Sequence, residues 1–231
     1  MSLEFRDIAV TLGDFSLSAD FTVPQGARVA VIGPSGAGKS TLLALVGGYL
    51  APDRGQVRWQ GHDIGVMRPG ARPVSMLFQD QNLFPHLTVK QNVGLGLRPD
   101  LRLSRHQEQE RDAALEQVGL ADMGDRRPAQ LSGGQQSRVA LARVLLRQRP
   151  ILLLDEAFSA LGPALKDEML ALLYQITRQT GATVLMVTHD PQDARDFAPL
   201  TVLVAGGRAH PPQPTGPLLD NPPPVLRDYL G

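Results

Sequence analysis

A chain of 231 residues that lacks cysteine altogether excludes thiol catalysis, zinc–thiolate sites and disulfides, and it is long enough to bury about 70% of its unfolded surface without such staples. Its 23 basic and 23 acidic residues cancel and no basic block stands out, which argues against a nucleic-acid partner because phosphate-backbone affinity rests on clustered cations. Charges at Glu4, Arg6 and Asp7 sit where a secretory signal needs an apolar core, and the apolar runs fall far short of the roughly 20 residues that cross a bilayer, so the expectation is no export and at most a peripheral membrane role.

The opening reads as strand-rich: Leu3 to Val10, Phe15 to Val23 and Ala27 to Ile32, with turns at Gly13-Asp14 and Pro24-Gln25-Gly26. Directly after the apolar Val29-Ala30-Val31-Ile32 comes Gly33-Pro34-Ser35-Gly36-Ala37-Gly38-Lys39-Ser40-Thr41, and then Leu42 to Val46, which reads as a helix. A strand, this G-x-x-x-x-G-K-S spacing and a helix make a phosphate-binding loop, or Walker A motif. The glycines allow a tight turn with inward N–H groups, and the helix start adds free donors and the positive end of its dipole. Lys39 would reach the β- and γ-phosphates and the Ser40 hydroxyl would take a position on Mg²⁺. Gln56 to Trp59 reads as another short strand and Pro73 to Phe78 as a second buried one, ending at Gln79.

Helical spacing then takes over. Thr88 to Leu97 is one candidate helix, and Ser104 with Gln107 is a capping-box start for another running to about Val118. Leu131-Ser132-Gly133-Gly134-Gln135 is a glycine-rich turn opening a third through Val139, Ala142 and Leu146, so residues 88–147 form a helical insertion. Ile151 to Leu154 is an apolar run closing on Asp155-Glu156; Pro163 opens a helix with Leu165, Met169, Leu172, Leu173 and Ile176 on its core face; Thr183 to Val187 is a buried strand ending at Thr188-His189-Asp190; Thr201 to Val204 is the last strand. From Gly206 the chain is proline-rich and is expected to be an irregular tail on the surface. Alternating strands and helices predict an α/β fold with a mostly parallel sheet and ligands at its carboxyl edge.

Gln79, Asp155-Glu156 and His189 all end apolar strands, on the rim where the phosphate loop lies. Taken alone, the acids are equally a solvated strand terminus and His189 an ordinary loop or core histidine. Beside a phosphate loop each acquires a specific role. Asp155 would hold Mg²⁺, mostly through water, Glu156 would accept a proton from water attacking the γ-phosphate, His189 would hydrogen-bond that phosphate, and Gln79 would orient the water or touch the metal.

On these residues, and on Leu131 to Gln135 lying between the phosphate loop and Asp155-Glu156, the chain resembles a nucleotide-binding subunit of an ATP-binding-cassette (ABC) transporter over essentially its whole length. The resemblance implies one nucleotide-binding domain over 1–231: a P-loop NTPase core, an N-terminal antiparallel β subdomain, the helical subdomain at about 88–147, and the tail from about 206. It implies ATP and Mg²⁺ as cofactors and a head-to-tail homodimer in which the loop at 33–41 of one copy and the signature Leu131, Ser132, Gly133, Gly134 and Gln135 of the other sandwich each ATP. Three positions depart from the family pattern. Gly162 stands where the family has an aspartate that bonds across the dimer, Ala157 replaces a usual proline, and Leu12 occupies the place of an aromatic residue that stacks on adenine, with Phe15 nearby either as its substitute or as plain strand core.

A narrower resemblance, from Arg72 to Leu97, is to the ATPase subunits of bacterial thiamine importers. It implies a peripheral place on the cytoplasmic face of the inner membrane, beneath a two-copy or fused transmembrane permease served by a periplasmic solute-binding protein. Leu83, Phe84 and Pro85 then either receive the permease or pack under the helical subdomain. The rival readings are an importer ATPase for another small solute and a soluble ABC ATPase without a transport role.

Overall fold

The computed structural model describes residues 2–230, so the first residue of the charged opening and the last of the proline-rich tail lie outside it. The chain divides into two compact units. The first draws on residues up to Val74, on Pro150–Glu156 and on the chain from Thr177 onward; the second draws on Ser75–Arg149 and Ala157–Ile176. In chain order the elements are β1 (Ser2–Leu12), β2 (Phe15–Pro24), β3 (Arg28–Ile32), α1 (Lys39–Gly47), β4 (Arg54–Trp59), β5 (His62–Asp63) and β6 (Val74–Phe78), which leads into the second unit. There follow α2 (Val89–Gly94), α3 (Arg105–Gln117), α4 (Gly133–Leu146), β7 (Ile151–Asp155) and α5 (Pro163–Thr180). The first unit is completed by β8 (Thr183–Val187), α6 (Pro191–Phe197), β9 (Leu200–Ala205), β10 (Arg208–Ala209), β11 (Gln213–Pro214), α7 (Thr215–Asp220) and α8 (Pro224–Leu230).

Within the first unit the strands run in the order β5-β4-β1-β2-β10-β9-β3-β8-β7. The pairs β9–β3, β3–β8 and β8–β7 are parallel, and their near-continuous apolar sequences are what a sheet covered on both faces demands. At the other end β5, β4, β1 and β2 are antiparallel. In that arm Leu17, Ala19, Phe21 and Val23 of β2 are buried while the residues between them are exposed, the period of two expected of a sheet packed on one side. Register sets the height at which each parallel strand ends. Val31 lies opposite Val187 and Val187 opposite Asp155, so β3, β8 and β7 end level with one another.

α1 has no basic residue in its last turn; its C-terminal end is served from a distance. The Arg72 guanidinium, 3% exposed, donates Nη1 to Leu45 O (2.7 Å) and Val46 O (3.0 Å), Nη2 to Gly65 O (3.0 Å) and Nε to Met67 O (3.1 Å). A buried cation there satisfies carbonyls that a helix end leaves unpaired and complements the negative end of its dipole.

In the second unit each helix of the insertion begins with a complete capping box, Thr88 with Gln91, Ser104 with Gln107 and Ser132 with Gln135. The apolar faces meet in a core of residues such as Val89, Val93, Leu115, Val118, Val139 and Leu146. α2 stops at Gly94, short of the expected Leu97; a Cβ on Gly96 would fall 2.3 Å from the Arg143 carbonyl.

The segment after Gly206, expected to be irregular, contains β10, β11, α7 and α8. Prolines punctuate it without preventing order, because Pro224 occupies the first position of α8, where its missing N–H is not needed. Leu218, Leu219 and Leu226 are buried, and the Thr215 hydroxyl donates to Ala198 O. The expected outcome of Arg72→Met, which orphans four carbonyls, is a loss of about 2–4 kcal/mol of stability in urea unfolding.

Candidate functional site

The phosphate loop leaves β3 and ends in α1, whose N-cap Gly38 is left-handed (φ 105) and supplies no capping side chain. No acidic residue lies in the first turn, so nothing from the helix itself neutralises its N-terminal donors. Ser35, Gly36, Gly38, Lys39, Ser40 and Thr41, together with Phe15 and Glu156, line an open cleft of about 270 Å³. A Cβ on Gly38 would stand 2.6 Å from Phe15 Cζ, so the ring approaches the loop as closely as glycine permits. Leu12, opposite Phe15 in the hairpin register, is 46% exposed and is not part of the cleft wall.

Lys39 Nζ donates to the Gly33 and Pro34 carbonyls at 2.9 and 3.0 Å. Burial pushes its ammonium below the usual lysine range, while the Glu156 and Asp155 carboxylates pull it the other way. The Ser40 hydroxyl donates to Asp155 Oδ1 at 2.9 Å. Burial raises the Asp155 carboxyl above the usual range; the Ser40 hydrogen bond opposes this and the nearby Glu156 charge adds to it. Ser40 and Asp155 are hard oxygen donors already in contact, which suits Mg²⁺. Among the described residues no three His, Cys, Asp or Glu side chains cluster to hold a metal by themselves.

Glu156 follows with φ 49, left-handed and costly for a residue with a Cβ, of the kind found where geometry serves a site. Its N–H donates to Val187 O at 3.2 Å, and His189 Nδ1 lies 3.6 Å from Glu156 Oε2. The turn carrying His189 is set by Thr188, whose hydroxyl donates to Asp193 Oδ2 (2.8 Å) and accepts from the Asp190 N–H (3.1 Å). The first unit therefore assembles the loop, Asp155, Glu156 and His189 on one rim.

Gln79 and the signature belong to the second unit. Gln79 begins the turn after β6. In the signature the Ser132 hydroxyl accepts from the Gln135 N–H at 3.3 Å, while Gln135 Oε1 accepts from the Ser132 N–H at 3.0 Å. The two glycines differ. A Cβ on Gly134 would fall 2.3 Å from Leu165 of α5, so it is glycine for packing, whereas nothing lies within 4 Å of one on Gly133. Sequence reasoning treated them alike, because spacing does not reveal which face of a helix start meets a neighbour. The bracing role of Arg72 escaped it, because nothing in a sequence marks an arginine as an internal brace of carbonyls.

Against known proteins, the profile of a family described as ABC transporter matches residues 17–159. The chain belongs to that family. It is 62% identical over 229 residues, 99% of both chains, to the thiamine import ATP-binding protein ThiQ of Cereibacter sphaeroides. Over 229 residues, again 99% of each, it is 56% identical to the protein of the same name from Ruegeria sp.. Among solved structures it resembles the dimeric post-hydrolysis state of the ATP-binding cassette MJ0796 bound to ADP and Pi, with a TM-score of 0.78, 28% identity and coverage of 92% of this chain and 98% of that one.

Two outcomes are expected. Without nucleotide or divalent cation, Asp155→Asn is more stable than the parent at neutral pH. A carboxyl whose folded pKa is raised costs stability as pH rises through the interval between the unfolded and folded values, so pH-dependent urea unfolding should show the difference vanish below the ordinary aspartate range. Gly162→Asp meets no atom within 4 Å of its Cβ and precedes Pro163 at the start of α5, where an N-cap oxygen is favoured. It should fold normally and gain a few tenths of a kcal/mol, ~0.3, in the same assay.

Proposed function

We propose that this chain is the ATP-hydrolysing subunit of a thiamine importer, acting as a pair that closes on ATP and reopens after hydrolysis. The observation that carries the catalytic reading is the meeting of Lys39, Ser40 and Glu156 in the wall of one cleft, with Asp155 held by the Ser40 hydroxyl. The substrate reading draws on the names of relatives more than half identical over 99% of this chain.

In this reading the triphosphate enters the loop at residues 33–41 and its oxygens take the backbone N–H groups at the start of α1. Lys39 exchanges the Gly33 and Pro34 carbonyls for the β- and γ-phosphates, a gain for an ammonium whose charge burial disfavours. Ser40 and Asp155 would hold Mg²⁺, which when bound offsets the charge on the phosphates. Glu156 takes the proton from the water that attacks the γ-phosphorus as the bond to the β–γ bridging oxygen breaks, and His189 steadies the γ-phosphate oxygens. Gln79 orients the water or meets the ion. Phe15 offers its ring to the adenine; Leu12 stands outside the cleft wall. Leu131, Ser132, Gly133, Gly134 and Gln135 of a second copy close over the γ-phosphate, with Gly133 the position open to it.

Among the described residues no helix is long and apolar enough to cross a membrane. In the importer reading the solute path belongs to a permease, with this chain peripheral to it. Phe84 and Pro85, both exposed, are offered as the docking face, while Leu83 follows the other expectation and packs, half-buried, against the core of the second unit.

The test is reconstitution with a candidate thiamine permease and solute-binding protein from the same organism. Thiamine should stimulate ATP hydrolysis; stimulation only by some other solute removes the substrate claim. Glu156→Gln should slow hydrolysis by about 10²–10⁴ while accumulating an ATP-bound dimer in size exclusion, and Lys39→Ala should abolish nucleotide binding. A Lys39→Ala protein with full affinity and turnover overturns the catalytic reading.

A further inference from the structure

Inside the second unit, a run of hydrogen bonds joins the loop after Gln79 to the first turn of the signature helix α4. Gln81 Nε2 donates to the Ser137 hydroxyl at 2.7 Å, and that hydroxyl donates to the Gly133 carbonyl at 3.1 Å. Ser137 is wholly buried. Its one proton is committed to Gly133 and its lone pair to Gln81, so the link has a fixed direction.

A second attachment lies two turns further along α4. Gln81 and Asn82 are both left-handed (φ 56 and 46), a conformation that side chains with a Cβ hold only when their surroundings impose it. Arg143 supplies that imposition with one planar fork, donating Nη2 to Gln81 O at 2.8 Å and Nη1 to Asn82 O at 2.7 Å. The outer half of the loop is fastened as firmly. Fully buried Asn92 of α2 accepts from the Phe84 N–H (2.8 Å), and its two amide protons are shared among the carbonyls of Phe84 (3.1 Å), Leu87 (3.2 Å) and Thr88 (3.0 Å).

We propose that Gln81, Ser137 and Arg143 are positioning residues that carry a displacement of the 79–85 loop to Gly133, so that a push on exposed Phe84 alters how the signature meets ATP. This inference rests on the importer reading, because the push comes from a permease. A loop held only by its ends would absorb such a displacement locally. One braced to α2 and linked through the Ser137 hydroxyl to the Gly133 carbonyl delivers it. None of the three residues needs to touch nucleotide or water for this, so their removal affects the transmission of the signal and leaves the chemistry in place.

The experiment compares the isolated subunit with the reconstituted importer, with and without thiamine, for the parent chain and for Gln81→Ala, Ser137→Ala, their double variant and Arg143→Lys. Melting temperature and the KM for ATP are recorded for each. The expected result is unchanged basal hydrolysis and KM, with thiamine stimulation reduced about threefold to tenfold in the first two variants. The double variant should be no worse than either single change, because both remove the same bond. Arg143→Lys, which keeps the charge but loses the planar fork, should fall between. Full stimulation in Gln81→Ala and Ser137→Ala overturns the relay, as does a basal rate that falls in proportion to the stimulated one. If Ser137→Ala does not fold, Gln81→Ala on the half-buried loop decides alone. A parent chain whose hydrolysis no solute stimulates in the reconstituted importer brings down the importer reading itself, and the relay with it; stimulation by another solute removes only the thiamine claim, and the relay is then read with that solute.

Discussion

Register between β3, β8 and β7 is the constraint on which the site depends. With Val31 level with Val187 and Val187 level with Asp155, three chains leave the sheet at the same height. The phosphate loop, the two acids and the Thr188-His189 turn therefore meet with short reaches, and the Ser40 hydroxyl closes on Asp155 at 2.9 Å. A slip of one residue would send every side chain of a strand to the opposite face. The apolar sequences of the three strands fix that alignment by burial on both sides of the sheet, so packing energy is what places the polar residues.

The assembled site is electrostatically uneasy. Burial disfavours the charged forms of both Lys39 and Asp155, and the amide donors at the start of α1 have no side-chain cap. In the proposed reading each of these costs would be relieved by the same kind of guest, a compact polyanion bringing a hard cation. Until one arrives, the Gly33 and Pro34 carbonyls occupy the ammonium. At the other end of α1, Arg72 keeps the helix from fraying where its carbonyls would otherwise be unpaired. The helix is thus fastened at the end away from the ligand and left open at the end that receives it.

Much of this was legible in the residue order, for identifiable reasons. A glycine-rich loop between a buried strand and a helix has few alternative uses, and strands buried on both faces announce themselves as unbroken apolar runs. Capping boxes such as Ser104 with Gln107 carry their own geometry. The misreadings are equally physical. Counting prolines suggested irregular chain after Gly206, but a proline at the first position of a helix is well tolerated and Leu226 beneath it is fully buried. Arg72, Asn92 and Arg143 were invisible because a polar residue that braces carbonyls leaves no periodic trace. The solute was never written in this chain, since no residue in the mechanism touches it, and only likeness to named relatives suggests it.

Glu156 has a consequence for anyone who redesigns this protein. Backbone energy alone favours glycine at a position with φ 49, so an algorithm that scores only conformational comfort would delete the one carboxylate in the cleft wall. The converse holds for related but unlabelled chains: a glutamate kept in a left-handed corner, against local preference, is a pointer to chemistry that composition alone would miss.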